Sequence, residues 1–245
     1  RRGIDVEVWN AGFPGWTSLE NLIALAIRDR DLQPDWIILF QGINDLQPAT
    51  HQPFDRQYEQ GHADSAHRTL GFDLQPPAWH QRSLLLETLS DALWGASNPW
   101  DAVDRQGSEP QPLSVVPEAA VVVFERNLRS FAALSQDLGA RLVLVPQTLR
   151  LRQGHLARDR TLLTDWLPGL IPDAAKAALD QLTAVEQRLA EEGVGLFADP
   201  AFDTWPDAEW DDAMHFSASG SERFASFLEG LLVAELSQVA IGGED

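Results

Sequence analysis

No cysteine occurs in the 245 residues, and there is only one lysine, one methionine and one tyrosine. Without thiols there are no disulfides, no cysteine nucleophile and no cysteine-ligated metal, while either redox compartment tolerates such a chain. Long apolar runs are also missing: nothing approaches the ~18 consecutive apolar residues that span a bilayer, and the opening residues do not read as a signal peptide. A soluble protein without a membrane segment is expected, with cytoplasm and export both open. Positive charge is scarce, 18 Lys and Arg against 37 Asp and Glu, for a net charge of −19. So acidic a surface repels polyanions, which excludes nucleic acid and anionic membranes as partners and leaves small neutral or cationic molecules. Nothing in the sequence sets the oligomeric state.

Hydrophobic residues make up 44% of the chain, with nine tryptophans, enough for the core of one α/β domain over residues 1–245. Ile4 to Trp9 alternates and then turns apolar, which predicts a strand. It stops at Asn10 and runs through "AGFPGW" into a helix, whose start is marked by Thr17 and Glu20 in capping-box spacing and whose stripe is Leu19, Leu22, Ile23, Ala26 and Ile27. Trp36 to Phe40 has no polar interruption, as expected of a strand buried on both faces of a parallel sheet. Alternation resumes beyond residue 117 with a helix over about 118–138, a strand "ARLVLVP", a helix over about 173–192 closed by Gly193, a strand "GVGLFAD" and a helix after Ser217. This order predicts a parallel sheet wound on both faces by helices.

Between Leu46 and Val116 the pattern breaks into prolines, histidines and glutamines around one expected helix, "RSLLLETLSDALWG". Trp79, Trp94 and Trp100 suggest that this insertion packs on the main body, as a lid or as a surface elaboration. His51, His62, His67 and His80 lie in it without the His-Glu-x-x-His spacing of a helical zinc site, so no metal is expected.

In open parallel sheets, ligands gather beyond the carboxyl ends of the strands, so those ends hold the candidate chemistry. The first is followed by Gly12 and Gly15, the second by "QGIND" with Asn44 and Asp45, and the last leads to "DDAMHFSASG" with Asp212 and His215. Three residues of separation let a carboxylate accept the imidazole Nδ1–H and leave Nε2 to take a proton, although a helix-start Asp beside a surface His has the same spelling. The Asn44 amide and the Gly15 N–H are candidate oxyanion donors, or turn residues serving their own backbone. Trp16 and Trp210 flank these positions and could line an acyl or sugar pocket, or simply pack.

Taken together and in this order, "NAGFPGWTS", "GIND" and "DAMH" resemble three of the four blocks of the SGNH (GDSL-type) hydrolases. The resemblance implies a flavodoxin-like α/β/α fold with sheet order 2-1-3-4-5. It implies Gly15 and Asn44 as oxyanion donors, His215 as general base and Asp212 as its orienting carboxylate, with the adjacent Asp211 the poorer-spaced alternative. It also implies a serine esterase acting on small or carbohydrate-linked acyl esters with no metal or organic cofactor. An O-acetyltransferase with the same triad is the near rival, and a noncatalytic binding module the distant one.

The fourth block, Gly-Asp-Ser after the first strand, is absent, and no serine elsewhere stands in its place. By the resemblance that strand belongs inside the sheet, so the chain reads as part of a longer enzyme, inactive as it stands. A circular permutation, with "SQVAIGGED" imitating the missing strand, is the weaker alternative.

Overall fold

The computed structural model describes residues 6–50, 54, 56, 113–151, 156–167 and 169–242. In chain order these give α1 (Ser18–Ile27), β1 (Trp36–Gln41), α2 (Leu46–Ala49), α3 (Glu118–Asp137), β2 (Arg141–Pro146), α4 (Leu156–Trp166), α5 (Pro172–Glu191), β3 (Leu196–Phe197) and α6 (Ala218–Gly242). The strands form an open parallel sheet in the order β1-β2-β3, with Trp36 opposite Arg141 through Gln41 opposite Pro146, and Val143 opposite Leu196.

β2 shows why the sheet sits between two layers. Its alternate residues serve different cores: Leu142 and Leu144 pack with residues of α1, α3 and α5, whereas Val143 and Val145 face Phe224, Phe227, Leu228 and Leu231 of α6. A strand buried on both faces needs apolar residues at every position, which "LVLV" supplies. Removing the Leu144 side chain to Ala costs about 3 kcal/mol or more, because it is fully buried. The helices follow from their own stripes. α3 buries Ala120, Phe124, Leu128 and Phe131, and α5 buries Ala175, Ala178, Leu182, Val185 and Leu189. α1 starts at the expected capping box, with Thr17 and Glu20 bonded reciprocally. Gly193 closes α5 at φ +79°, where the Val194 N–H reaches back to the Leu189 carbonyl at 2.8 Å.

The structure departs from the sequence reading at five places. Residues 6–9 of the strand expected over Ile4 to Trp9 form no strand, and Val6, Val8 and Trp9 stand exposed. A strand exists only through its ladder, and among the described residues nothing pairs with this segment. β1 is half-buried rather than buried throughout, because among the described residues it pairs with β2 alone and nothing covers its other edge. β3 is two residues long instead of seven. The residues that the weaker alternative, a circular permutation, would make a strand are helical to Gly242, as the end of the 25-residue α6. α4 was not expected from the sequence. Of the insertion, the expected helix lies outside the described residues; Leu46–Ala49 is a helical turn, and Leu113 forms a parallel bridge to Leu170. No helix among the described residues is long and apolar enough to cross a membrane.

Candidate active site

The loop from Asp207 to Ser217 is built from the aromatic residues outward. Phe202, Trp205 and Trp210 form a buried cluster with Phe216, and Trp210 and Phe216 make an antiparallel bridge that brings the two ends of the loop together. Inside that bridge the Asp211 N–H donates to the His215 carbonyl at 2.9 Å. The loop is fixed from two further sides. Arg150 N–H donates to the Ala213 carbonyl at 2.9 Å, and the Ser217 hydroxyl donates to the Ala208 carbonyl at 2.8 Å. Gly220 lets α6 approach closely: a Cβ there would lie 2.0 Å from the Glu209 carbonyl oxygen.

The consequence is a carboxylate–imidazole pair. Asp212 Oδ2 is 2.8 Å and Oδ1 is 3.0 Å from His215 Nδ1, and Oδ1 also accepts from the backbone N–H groups of Met214 (2.8 Å) and His215 (2.9 Å). The three-residue spacing works through a bend closed on its own aspartate rather than through a helical turn. Burial pushes the Asp212 carboxyl up, but the Met214 N–H, the imidazole and the His215 N–H outweigh it and hold the carboxyl below its ordinary range. Asp212 therefore stays ionised, keeps the Nδ1–H tautomer and turns Nε2 outward. The His215 side chain is 68% exposed, so that nitrogen is accessible. Asp212, not Asp211, is the carboxylate on the ring.

The glycine turn and the end of β1 meet at one atom, the Trp16 carbonyl oxygen. It accepts from Asn44 Nδ2 at 2.9 Å and from Gln41 Nε2 at 3.0 Å. Gly15, the residue before it, is buried at φ +82°, and among the described residues its N–H makes no hydrogen bond. An L-residue rarely adopts that φ, so the turn requires glycine. One Asn44 amide hydrogen is committed to Trp16, and a second belongs to the same group.

Gly15, Asn44 and His215 line one open groove of about 2830 Å³, which runs along the unpaired edge of β1 between residues 6–15 and α6. Trp16 also borders the groove, but its ring is 1% exposed and sits 5.2 Å from Phe13 and 5.4 Å from the Arg28 guanidinium. Trp210 packs within the aromatic cluster and borders a cavity of about 20 Å³, too small for an acyl or sugar group. The serines beside the candidate residues are engaged: Ser18 Oγ donates to Asp45 Oδ1 and Ser217 Oγ to Ala208. His51, His62, His67 and His80 lie outside the described residues, and among those described no three His, Asp or Glu side chains are grouped to hold a metal.

Sequence reasoning missed a buried polar web under this site. Gln41, Asp45, Ser18 and Asn127 are each at most 4% exposed and bonded to one another, and Glu186 of α5 lies buried nearby. A polar residue at i+4 from Gln41, just past the end of an apolar strand, was the available signal. Its partners from α1 and α3 are too far away in sequence for any local pattern to expose them.

No curated protein and no solved structure matches this sequence. The model of the GDSL-like lipase/acylhydrolase family matches it over residues 1–223, a span that takes in the glycine turn, the end of β1 and the Asp212–His215 loop. The α/β sheet and the family match together place the chain among hydrolases: it belongs to the GDSL-like lipase/acylhydrolase family.

Proposed function

We propose that this chain carries the base and oxyanion halves of a serine acyl-ester hydrolase. A serine from outside the 245 residues is the nucleophile, and small or carbohydrate-linked acyl esters are the substrates. The observation that carries the reading is the Asp212–His215 pair opening onto the groove that Gly15 and Asn44 also line. His215 Nε2 takes the proton from the serine Oγ as that oxygen bonds to the ester carbonyl carbon. The negative charge then forming on the carbonyl oxygen is met by the Gly15 N–H and the Asn44 amide. Collapse of the intermediate expels the alcohol, which takes the proton back from His215. Water, deprotonated by the same nitrogen, releases the acid and frees the serine. Asp212 holds the ring throughout and is not itself protonated.

The open edge of β1 supports the source of the serine. Among the described residues nothing pairs with the edge of this six-residue strand that faces away from β2, and it borders a groove walled by apolar side chains such as Ile38, Leu228 and Leu232, a setting for one more strand ending beside His215. The test is a serine-reactive fluorophosphonate applied to the full-length gene product. Labelling at one serine, lost in its Ser→Ala form and accompanied by ester hydrolysis, is expected. Residues 1–245 alone should show neither. Absence of labelling in the full-length product would overturn the hydrolase reading in favour of a binding module.

A further inference from the structure

Asn44 and Gly15 belong to different elements, and their relative placement must be set by something other than the chain between them. Twenty-nine residues of separation, with α1 in the middle, do not fix two donors to within a hydrogen-bond length. The buried web supplies the fixing. Asp45 Oδ1 and Oδ2 lie 3.2 and 3.0 Å from the Ser18 backbone nitrogen, at the first turn of α1, and Oδ1 also takes the Ser18 hydroxyl at 2.5 Å. Oδ2 takes Gln41 Nε2 at 2.7 Å, and that same nitrogen donates to the Trp16 carbonyl. From α3, Asn127 Nδ2 donates to Ser18 Oγ at 2.9 Å; from α1, Asn21 Nδ2 donates to Gln41 Oε1 at 2.7 Å.

We propose that Asp45 is a positioning residue: it ties the start of α1 to the end of β1 and so fixes the spacing between the Gly15 N–H and the Asn44 amide. The inference rests on the hydrolase reading for its catalytic consequence, but the tie itself does not. Ser18 N–H, Ser18 Oγ and Gln41 Nε2 each send a donor toward Asp45, which suits an ionised carboxylate. Burial pushes its carboxyl up to about 6 against the pull of Ser18 and Gln41, with the Glu20 charge adding to the rise. Glu186, facing it from α5, is pushed well above its ordinary range by burial and by Asp45. At neutral pH Asp45 is therefore mainly charged, while burial and the Asp45 charge bias Glu186 toward its neutral form.

An asparagine holds the tie less well. With its NH2 in the Oδ2 place it meets the Gln41 NH2; with its NH2 in the Oδ1 place it must donate to the Ser18 hydroxyl instead of accepting from it, and one neutral oxygen is left to hold both Gln41 and the Ser18 N–H. Gln41 cannot invert to accommodate it without breaking its bonds to Asn21 and Trp16. In the full-length hydrolase, Asp45→Asn should lower kcat by about tenfold to a hundredfold while leaving KM within about twofold, because donors displaced from the transition state cost turnover rather than substrate binding. In residues 1–245 the same change should move the amide resonances of Gly15, Trp16 and Ser18 and the Asn44 side-chain NH2 pair, leaving those of α6, on the other face of the sheet, in place.

Ser18→Ala keeps the backbone donor and loses only the hydroxyl. It should shift the same resonances less, and it stands in if Asp45→Asn fails to fold. Unmoved Gly15 and Asn44 resonances in the folded variant, or an unchanged kcat in an active enzyme, would overturn the proposal. If the wild-type full-length protein hydrolyses no ester, the hydrolase reading fails and the resonances alone decide the tie.

Discussion

Asp45 and Asp212 stand for two regions that solve opposite problems. Around Asp45 the polar groups are buried, bonded to one another across α1, β1 and α3, and closed off by α5. Around Asp212 the carboxylate is half-buried in a surface bend, held by two neighbouring backbone N–H groups and the exposed ring it orients. The first region is pushed toward the neutral form by its surroundings and the second toward the charged one. Donors that must not move are anchored in the interior, whereas a base that exchanges protons is left within reach of solvent and substrate. Changes in the first region should therefore disturb structure and function together, and changes in the second chemistry alone.

The sharpest way to test that contrast is His215→Ala. In the full-length enzyme it should reduce kcat by about 10³-fold or more, and in residues 1–245 it should shift stability by no more than about 0.5 kcal/mol, since the ring is exposed. Paired turnover and thermal melting measurements check both halves. Asn44→Ala should cost about 10²- to 10³-fold in kcat as an oxyanion donor, and should also lower the melting temperature, because the Trp16 carbonyl loses a partner.

Stability against pH separates the regions without any activity assay. The Asp45 carboxyl titrates near 6 in the folded chain and near 3.8 when unfolded, so between those values the folded state holds a proton that the unfolded state has lost. Stability should fall as pH rises through that window, by about 3 kcal/mol from this group, with Glu186 acting in the same direction. Glu125, held down to about 2 chiefly by its bond to Arg188, contributes stability above about pH 4.5 that is lost as pH falls toward 2. Melting temperature should therefore peak near pH 4 to 5. The net charge of −19 also disfavours higher pH, so Glu186→Gln, which removes only the buried carboxyl, should flatten part of the fall from pH 5 to 7.5. An unchanged slope in that variant would remove Glu186 from the account.

The smallest expected effect concerns how the surface loop is held. Gly220→Ala drives a methyl group into the Glu209 carbonyl, and the loop must move away from α6. A loss of about 1 to 3 kcal/mol in chemical denaturation is expected, together with a weaker Asp212–His215 contact, visible as a changed His215 ring shift.

Local signals carried much of this fold. The Thr17–Glu20 capping box, the stripes of α3 and α5, the Gly193 stop and the "LVLV" strand all depend on residues within a few positions of one another, and each appears where the sequence places it. What depended on distant partners was not legible. Val6 to Trp9 has strand composition, yet a strand needs a neighbour, and none of the described residues provides one. β3 shrinks to two residues for a related reason, since its composition sets only what it could pair with. α4, "LARDRTLLTDW", mixes polar and apolar residues too evenly for its period to stand out. At the site, the spacing of Asp212 and His215 was readable. The web through Asp45 was not, because Ser18 and Asn127 reach it from 27 residues before and 82 residues after it in the chain.

The most direct test is the structure of the full-length protein after reaction with a phosphonate ester. The account predicts a phosphonylated serine in the groove beside β1, with the phosphonyl oxygen within hydrogen-bond distance of both the Gly15 nitrogen and Asn44 Nδ2 and the serine oxygen against His215 Nε2. A phosphonyl group bound elsewhere, or one in the groove whose oxygen touches neither donor, would contradict it.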